Sequence, residues 1–284
     1  MVVHQHRRGR AGRAAVAVGL ALTVAALSGC GGDAVAGDDG RPAADDGRAS
    51  GDPGATVRAA ADALARTGSA QARTAMEMAT GGTRVTIRGE GGVDFKNRMG
   101  QLLVMLPDDA KGQAEHRPIT ELLVPGALYM KNRGAGVPAD KWVRIDTTAL
   151  ADGNLVTGGA TDPMAAAELL RGAQEVTYVG ETEVGGTKVR HYRGTTDIAR
   201  AAAQASPAVK GALEAAAKGF GKDAVPFDAY LDAEGLLRKV RHRFTYVNAG
   251  VIDVSSTTLL YGFGTPVTVV LPAEGDIYAG KIAD

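Results

Sequence analysis

The stretch Arg84-Val85-Thr86-Ile87-Arg88-Gly89-Glu90-Gly91-Gly92-Val93-Asp94-Phe95-Lys96 decides how the rest of the chain is read. Val85, Ile87, Gly89, Gly91, Val93 and Phe95 fall on one side of it, and Arg84, Thr86, Arg88, Glu90, Asp94 and Lys96 on the other. Side chains of a strand point alternately to opposite faces, so this spacing describes a strand with one buried face and one wet face, as antiparallel sheets have. The glycines within it mark a bulge or sharp bend, which a strongly curved sheet needs.

Downstream, the same pattern recurs in series. Met99 to Leu106 is almost continuously apolar, Leu122-Leu123-Val124 and Ala127 to Met130 flank Pro125-Gly126 as the arms of a hairpin would, and Trp142 to Ile145 is a further short strand. A helix follows, with Asp162 as its cap, Pro163 in its first turn, Leu169 and Leu170 for burial and Gly172 as its stop. Glu175 to Thr182 and Thr187 to Arg193 then flank Gly185-Gly186, a hairpin turn signal. From Asp197 to about Phe220 the pattern is helical, interrupted at Ser206-Pro207. Its second half carries Val209, Leu213, Ala216, Ala217 and Phe220 as an apolar stripe. Strands are expected again at Pro226 to Asp232, Leu236 to Tyr246, Val251 to Tyr261 and Val267 to Leu271, the first two joined through Asp232-Ala233-Glu234-Gly235.

Upstream of the first strand, Val57, Ala60, Ala61 and Leu64 recur at helical spacing, with Thr56 placed to cap and Gly68 to terminate. Short hairpin connections dominate the whole order. They give an α+β domain at residues 55–284: a large curved antiparallel sheet, or half-barrel, with helices covering its concave face.

Residues 1–29 have a different character. Arg7, Arg8, Arg10 and Arg13 precede an apolar run from Ala14 to Ala26, too short for the roughly 20 residues of a membrane-spanning helix. A basic leader, a short apolar run and small residues at a cleavage site make a signal peptide. Leu27-Ser28-Gly29-Cys30 is similar to the lipobox of bacterial lipoproteins, which makes Cys30, the one cysteine of the chain, the expected lipid-attachment site and mature N-terminus. Residues 30–54 are rich in Gly, Ala, Asp and Arg, with almost no large apolar residue. They cannot bury enough surface to offset their ordering entropy, and read as a flexible tether.

The chain balances 32 basic against 32 acidic residues, so loss of the arginine-bearing leader leaves it mildly acidic. No basic patch for nucleic acid follows Cys30, and attachment to the extracytoplasmic face of a cell membrane would rest on acyl chains, of which stable anchoring needs two or more.

The segments Gly91-Gly92-Val93-Asp94-Phe95, Tyr129-Met130-Lys131, Lys141-Trp142-Val143-Arg144-Ile145-Asp146, the pair around Gly185-Gly186 ending in His191-Tyr192, and Tyr230 to Val240 come in an order that resembles the LolA/LolB-like lipoprotein carriers. The resemblance is nearer to the actinobacterial lipoproteins related to LppX and LprG. It implies a half-barrel whose helices close a hydrophobic cavity, used to bind a lipid, glycolipid or lipidated molecule and to carry or present it in the cell envelope.

The inward-facing candidates for such a cavity are Val85, Ile87, Leu102, Val104, Leu128, Met130, Val240, Phe244 and Tyr246. Each methylene moved from water into an apolar cavity gains about 0.8 kcal/mol, so few polar contacts are required. The alternative is that these side chains pack on one another as a solid core, and that the chain is a surface lipoprotein acting as a protein-interaction or regulatory module. Catalytic, metal and cofactor patterns are not found in the sequence. His116, His191 and His242 lie in no zinc-ligand or hydrolase spacing, and His191 and His242 read as satisfied, partly buried strand residues. No enzymatic activity, metal or cofactor is expected.

Overall fold

The computed structural model describes residues 51–80, 82–107, 117–134, 136–156, 162–220, 224–247 and 251–280, the side chains of Thr80, Tyr246 and Val247 excepted. It opens with two short helices, α1 (Pro53–Arg58) and α2 (Ala60–Thr67). The cap of the first is Asp52 rather than Thr56: its carboxylate accepts from the Gly54 N–H at 2.8 Å, and Pro53 follows where a missing N–H costs nothing. The helical layer therefore begins within the stretch read as tether. Gly68 ends α2 at φ 93°, a backbone conformation open to glycine.

The strands are β1 (Ser69–Thr80), β2 (Thr83–Asp94), β3 (Met99–Met105), β4 (Ile119–Val124), β5 (Ala127–Lys131), β6 (Trp142–Asp146), β7 (Ala173–Val184), β8 (Thr187–Thr196), β9 (Val225–Leu231), β10 (Leu237–Val247) and β11 (Val251–Tyr261). All eleven form one open antiparallel sheet in the order β6-β5-β4-β3-β2-β1-β11-β10-β9-β8-β7. Strands β1 to β6 meander outward from the centre, and β7 to β11 meander back from the opposite edge until β11 pairs with β1. The chain must cross the full width of the sheet between β6 and β7. Helix α3 (Pro163–Leu169) and a single 3-10 turn at Leu170–Gly172 lie on that crossing. Two more helices, α4 (Ile198–Gln204) and α5 (Pro207–Gly219), leave and rejoin the sheet between β8 and β9, which are direct neighbours.

Helix α1 touches β7, while α2 and α3 touch β10. Because pairing is in register, the covered face can be read straight across: Tyr192, Ala229, Val240, Thr258, Thr74, Gly89, Val104 and Ile119 stand opposite one another in turn from β8 to β4. These residues fall at alternate positions, so Asp228, Arg241 and Arg88 stand on the other face.

Every residue of α3 is buried, a pattern expected of a helix enclosed on all sides. Its Glu168, 1 % exposed, is held by Arg98 from the β2–β3 turn at 2.8 Å and by Arg171 at 2.6 Å. Arg171 also reaches Asp62 of α2 at 2.6 Å, and the Ser206 N–H before α5 donates to Glu168 at 3.2 Å. One carboxylate thus ties the β2–β3 turn, α3 and the start of α5, and through Arg171 it reaches α2. Glycines bring the backbones of this layer together: a side chain at Gly153 would strike the Ala212 carbonyl of α5, and one at Gly219 the carbonyl of Ala151.

The expected strand at Val267 to Leu271 does not form. After β11 the chain leaves the sheet and runs over its uncovered face, where Val267 lies on Gly92. Its Val270 and Leu271 are exposed, so apolar alternation here reflects one side resting on the sheet rather than ladder pairing. The segment returns to the sheet at β6, where Trp142 and Ile277 form a bridge and the Tyr278 N–H donates to the Trp142 carbonyl at 2.8 Å. That bond partly closes an edge strand otherwise open to pairing.

Candidate ligand-binding site

Eight of the nine cavity candidates can be placed. Ile87, Leu102, Val104, Leu128, Met130, Val240 and Phe244 are buried, and Val85 is half-buried and packs against them. The ninth, Tyr246, lies on β10 opposite Ile252, with its side chain outside the described residues. Leu27, Ser28, Gly29 and Cys30 also lie outside the described residues.

The eight share the covered face. They join Leu64 of α2, Met164 and Leu169 of α3 and Leu213 of α5 in one continuous apolar cluster. Phe220, which caps α5, meets Phe244 of β10 with ring centroids 5.4 Å apart. Where Arg98, Thr147, Asn154, Asp162, Met164 and Val209 converge, a pocket of about 20 Å³ remains, room for about one water molecule. A groove of about 260 Å³ lies among Glu77, Arg84, Arg241, Arg243 and Asp253, whose strand positions belong to the uncovered face.

The covered face is not purely apolar. Thr74, Thr196, Thr258 and His242 are each no more than 4 % exposed, and Tyr192 is fully buried. Among the described residues, Thr74 Oγ1, Thr196 Oγ1, Thr258 Oγ1, Tyr192 Oη and His242 Nε2 find no hydrogen-bond partner. A buried polar atom left unpaired costs about 1–3 kcal/mol, so five on one face of one sheet are costly in aggregate. Burial pushes the His242 imidazole down to about 3, which leaves it neutral at physiological pH. His242 shares the covered face with Val240 and Phe244, two residues to either side of it on β10. The expectation that it would be satisfied fails at Nε2, which finds no partner among the described residues; its neighbour on β9 is Phe227. The threonines and Tyr192 drew no functional reading from sequence, since a threonine on a strand is ordinary until its surroundings are known.

The opposite face treats its polar groups differently. Asp228 of β9 accepts from His191 Nε2 at 2.8 Å, from Arg193 Nε at 3.1 Å and from Arg243 at 2.6 Å. Burial works to raise its pKa, but these three donors outweigh it and hold the carboxyl at about 2. The His191 ring stacks on Tyr230 at 4.4 Å, and the Lys239 ammonium lies 5.1 Å from the same Tyr230 ring. His191 is therefore satisfied, as its sequence context suggested. With two arginines on the same carboxylate, the His191–Asp228 pair is part of an ion cluster. Among the described residues no group of His, Cys, Asp and Glu is placed to hold a metal ion, and no helix is long and apolar enough to cross a membrane.

No family model and no curated protein matches the sequence. Solved structures similar to this one include the lipoprotein LppX of Mycobacterium tuberculosis, at 13% identity and a TM-score of 0.49 over 77% of this chain and 98% of that one. LprF from Mycobacterium bovis is similar at 14% identity and a TM-score of 0.39, over 78% of this chain and 97% of that one. A LolA superfamily protein from Nitrosomonas europaea is similar at 12% identity and a TM-score of 0.35, over 74% and 93% of the two chains.

Proposed function

We propose that this chain is an extracytoplasmic lipoprotein, anchored through acyl chains on Cys30, that takes an acyl chain or lipidated molecule between its sheet and its helices. The observation that carries this reading is the construction of the two layers. The sheet presents an apolar face from Met130 on β5 to Phe227 on β9, and its cover consists of short helices joined to one another through Glu168 and through glycine contacts. The cover meets the sheet through apolar contacts and, at the β2–β3 turn, through the Arg98–Glu168 pair; where the apolar contacts part, the face beneath would accept an apolar chain at the cost of contacts of the same kind. The resemblance of Leu27 to Cys30 to a lipobox, with a stretch read as a tether after it, supports a position beside a membrane, which would be the source of its ligand.

Native mass spectrometry of the chain purified from its own membrane, followed by lipid extraction, tests the reading. About one lipid per chain is the expected result; an empty chain that also refuses added lipids overturns it. The anchor is tested separately: Cys30→Ala should move the chain from the membrane to the soluble fraction.

One observation favours a second reading. The eight candidate side chains that can be placed already pack against each other and the helices, with room for about one water in the pocket beside Met164 and Val209. A surface lipoprotein with this solid core would act through its exterior as an interaction or regulatory module. Failure to take up lipid would favour it.

A further inference from the structure

The polar atoms of Thr74, Thr196, Thr258, Tyr192 and His242 that find no partner among the described residues form a pattern. Thr74 of β1 and Thr258 of β11 stand directly opposite each other, and His242 of β10 is paired with Ser256, two residues along β11 from Thr258. Tyr192 of β8 lies in the same cross-strand row as the two threonines, separated from Thr258 by Ala229 and Val240. Cross-strand neighbours of this kind sit within about 4.5–5.5 Å at Cβ, close enough for Thr74 and Thr258 to address one small group.

We propose that Thr74, Thr258 and His242 form a polar subsite, at the middle of the covered face, for an uncharged oxygen-bearing group, a hydroxyl or an ester, of an otherwise apolar ligand. The inference rests on the lipid reading above and deepens it. Hydroxyls and a neutral imidazole can donate or accept, which matches an alcohol or an ester oxygen. The cations of these strands are placed elsewhere. Arg73, Lys239, Arg241 and Arg243 take alternate positions and stand on the opposite face, while Arg238 and Arg190, at the strand ends, bind Asp232. A carboxylate or phosphate brought to the middle of the covered face would meet no arginine or lysine from β1, β10 or β11. Ordinary packing gives no reason for hydroxyls there, since valine has the shape of threonine and leaves nothing unpaired.

The test uses the full chain and two probes of equal chain length, a long-chain monoacylglycerol and the corresponding alkane, each measured by displacement of an apolar fluorescent dye. The Thr74→Val/Thr258→Val double variant should lose about tenfold or more in monoacylglycerol affinity while alkane affinity is unchanged, and should melt no lower than the parent. The His242→Phe variant should shift the same ratio in the same direction. Equal affinities of parent and variants for both probes, or equal losses for both, would overturn the polar subsite and leave lipid binding intact. A parent chain that takes up neither dye nor probe would overturn both readings.

Discussion

Glu168 and Asp228 are both buried carboxylates with more than one cationic partner, yet they stand on opposite sides of the sheet in different surroundings. The partners of Glu168 are themselves enclosed, with Arg98 and Arg171 side chains 20 % and 14 % exposed. Two of the three partners of Asp228 open to water, with Arg193 and Arg243 at 61 % and 43 %. Ion pairs without water lose little to screening but leave an expensive charge behind when broken, whereas pairs at a surface are weak and replaceable. His242 is a third case, buried with an unpaired nitrogen and no charged partner. The covered side is therefore where polar groups carry stability and where the proposed subsite lies, and the open side is where they are satisfied by exchangeable surface contacts.

The comparison is broken most directly at Glu168. Replacement by alanine strands Arg98 and leaves Arg171 with Asp62 alone, and a loss of about 3 kcal/mol is expected in urea unfolding. His242 comes next. Its folded value of about 3 lies below the unfolded value of about 6.5, so the unfolded chain binds the extra proton first, and stability present above pH 6.5 is lost as pH falls toward 3. One proton gives at most about 1.4 kcal/mol per pH unit, or about 2 kcal/mol by pH 5, and His242→Phe should flatten that slope. Asp228→Asn should cost only about 1 kcal/mol and less at high salt. Its linkage runs over a lower window: stability present above about pH 4 is lost as pH falls through the folded value of about 2. Last is Thr74→Val, where removal of an unpaired hydroxyl should cost no apo stability and should raise it instead. An Asp228→Asn loss as large as that of Glu168→Ala would erase the distinction between the two sides.

Local chemistry made much of the fold legible. Asp162-Pro163 starts a helix, Gly185-Gly186 turns a hairpin, and Asp232 to Gly235 closes another, with the Asp232 carboxylate accepting from the Glu234 and Leu236 N–H groups. The central strand β1 carries no comparable signal, although it joins the two halves of the sheet. Its inner face is Ala70, Ala72, Thr74 and Met76, and alanine and methionine favour helices in isolation. Pairing with β2 on one side and β11 on the other overrides that preference. The tail at Val267 to Val270 errs the other way: its residues have strand propensity, but β11 and β2 already occupy the two sides of β1.

What the sequence by itself determined is therefore whatever depends on neighbours along the chain: the alternation of β2, the caps and turns, the order of elements, and which strand residues share a face. The tertiary structure decided what depends on partners far apart in sequence. It chose β11 as the neighbour of β1, placed the helices over one face, and enclosed Thr74, Thr258 and His242 where no hydrogen-bond partner among the described residues reaches their free atoms. The physical reason is range. Backbone conformation and turn chemistry act over a few residues, while burial and hydrogen-bond satisfaction are properties of a surface that exists only once distant strands and helices have met.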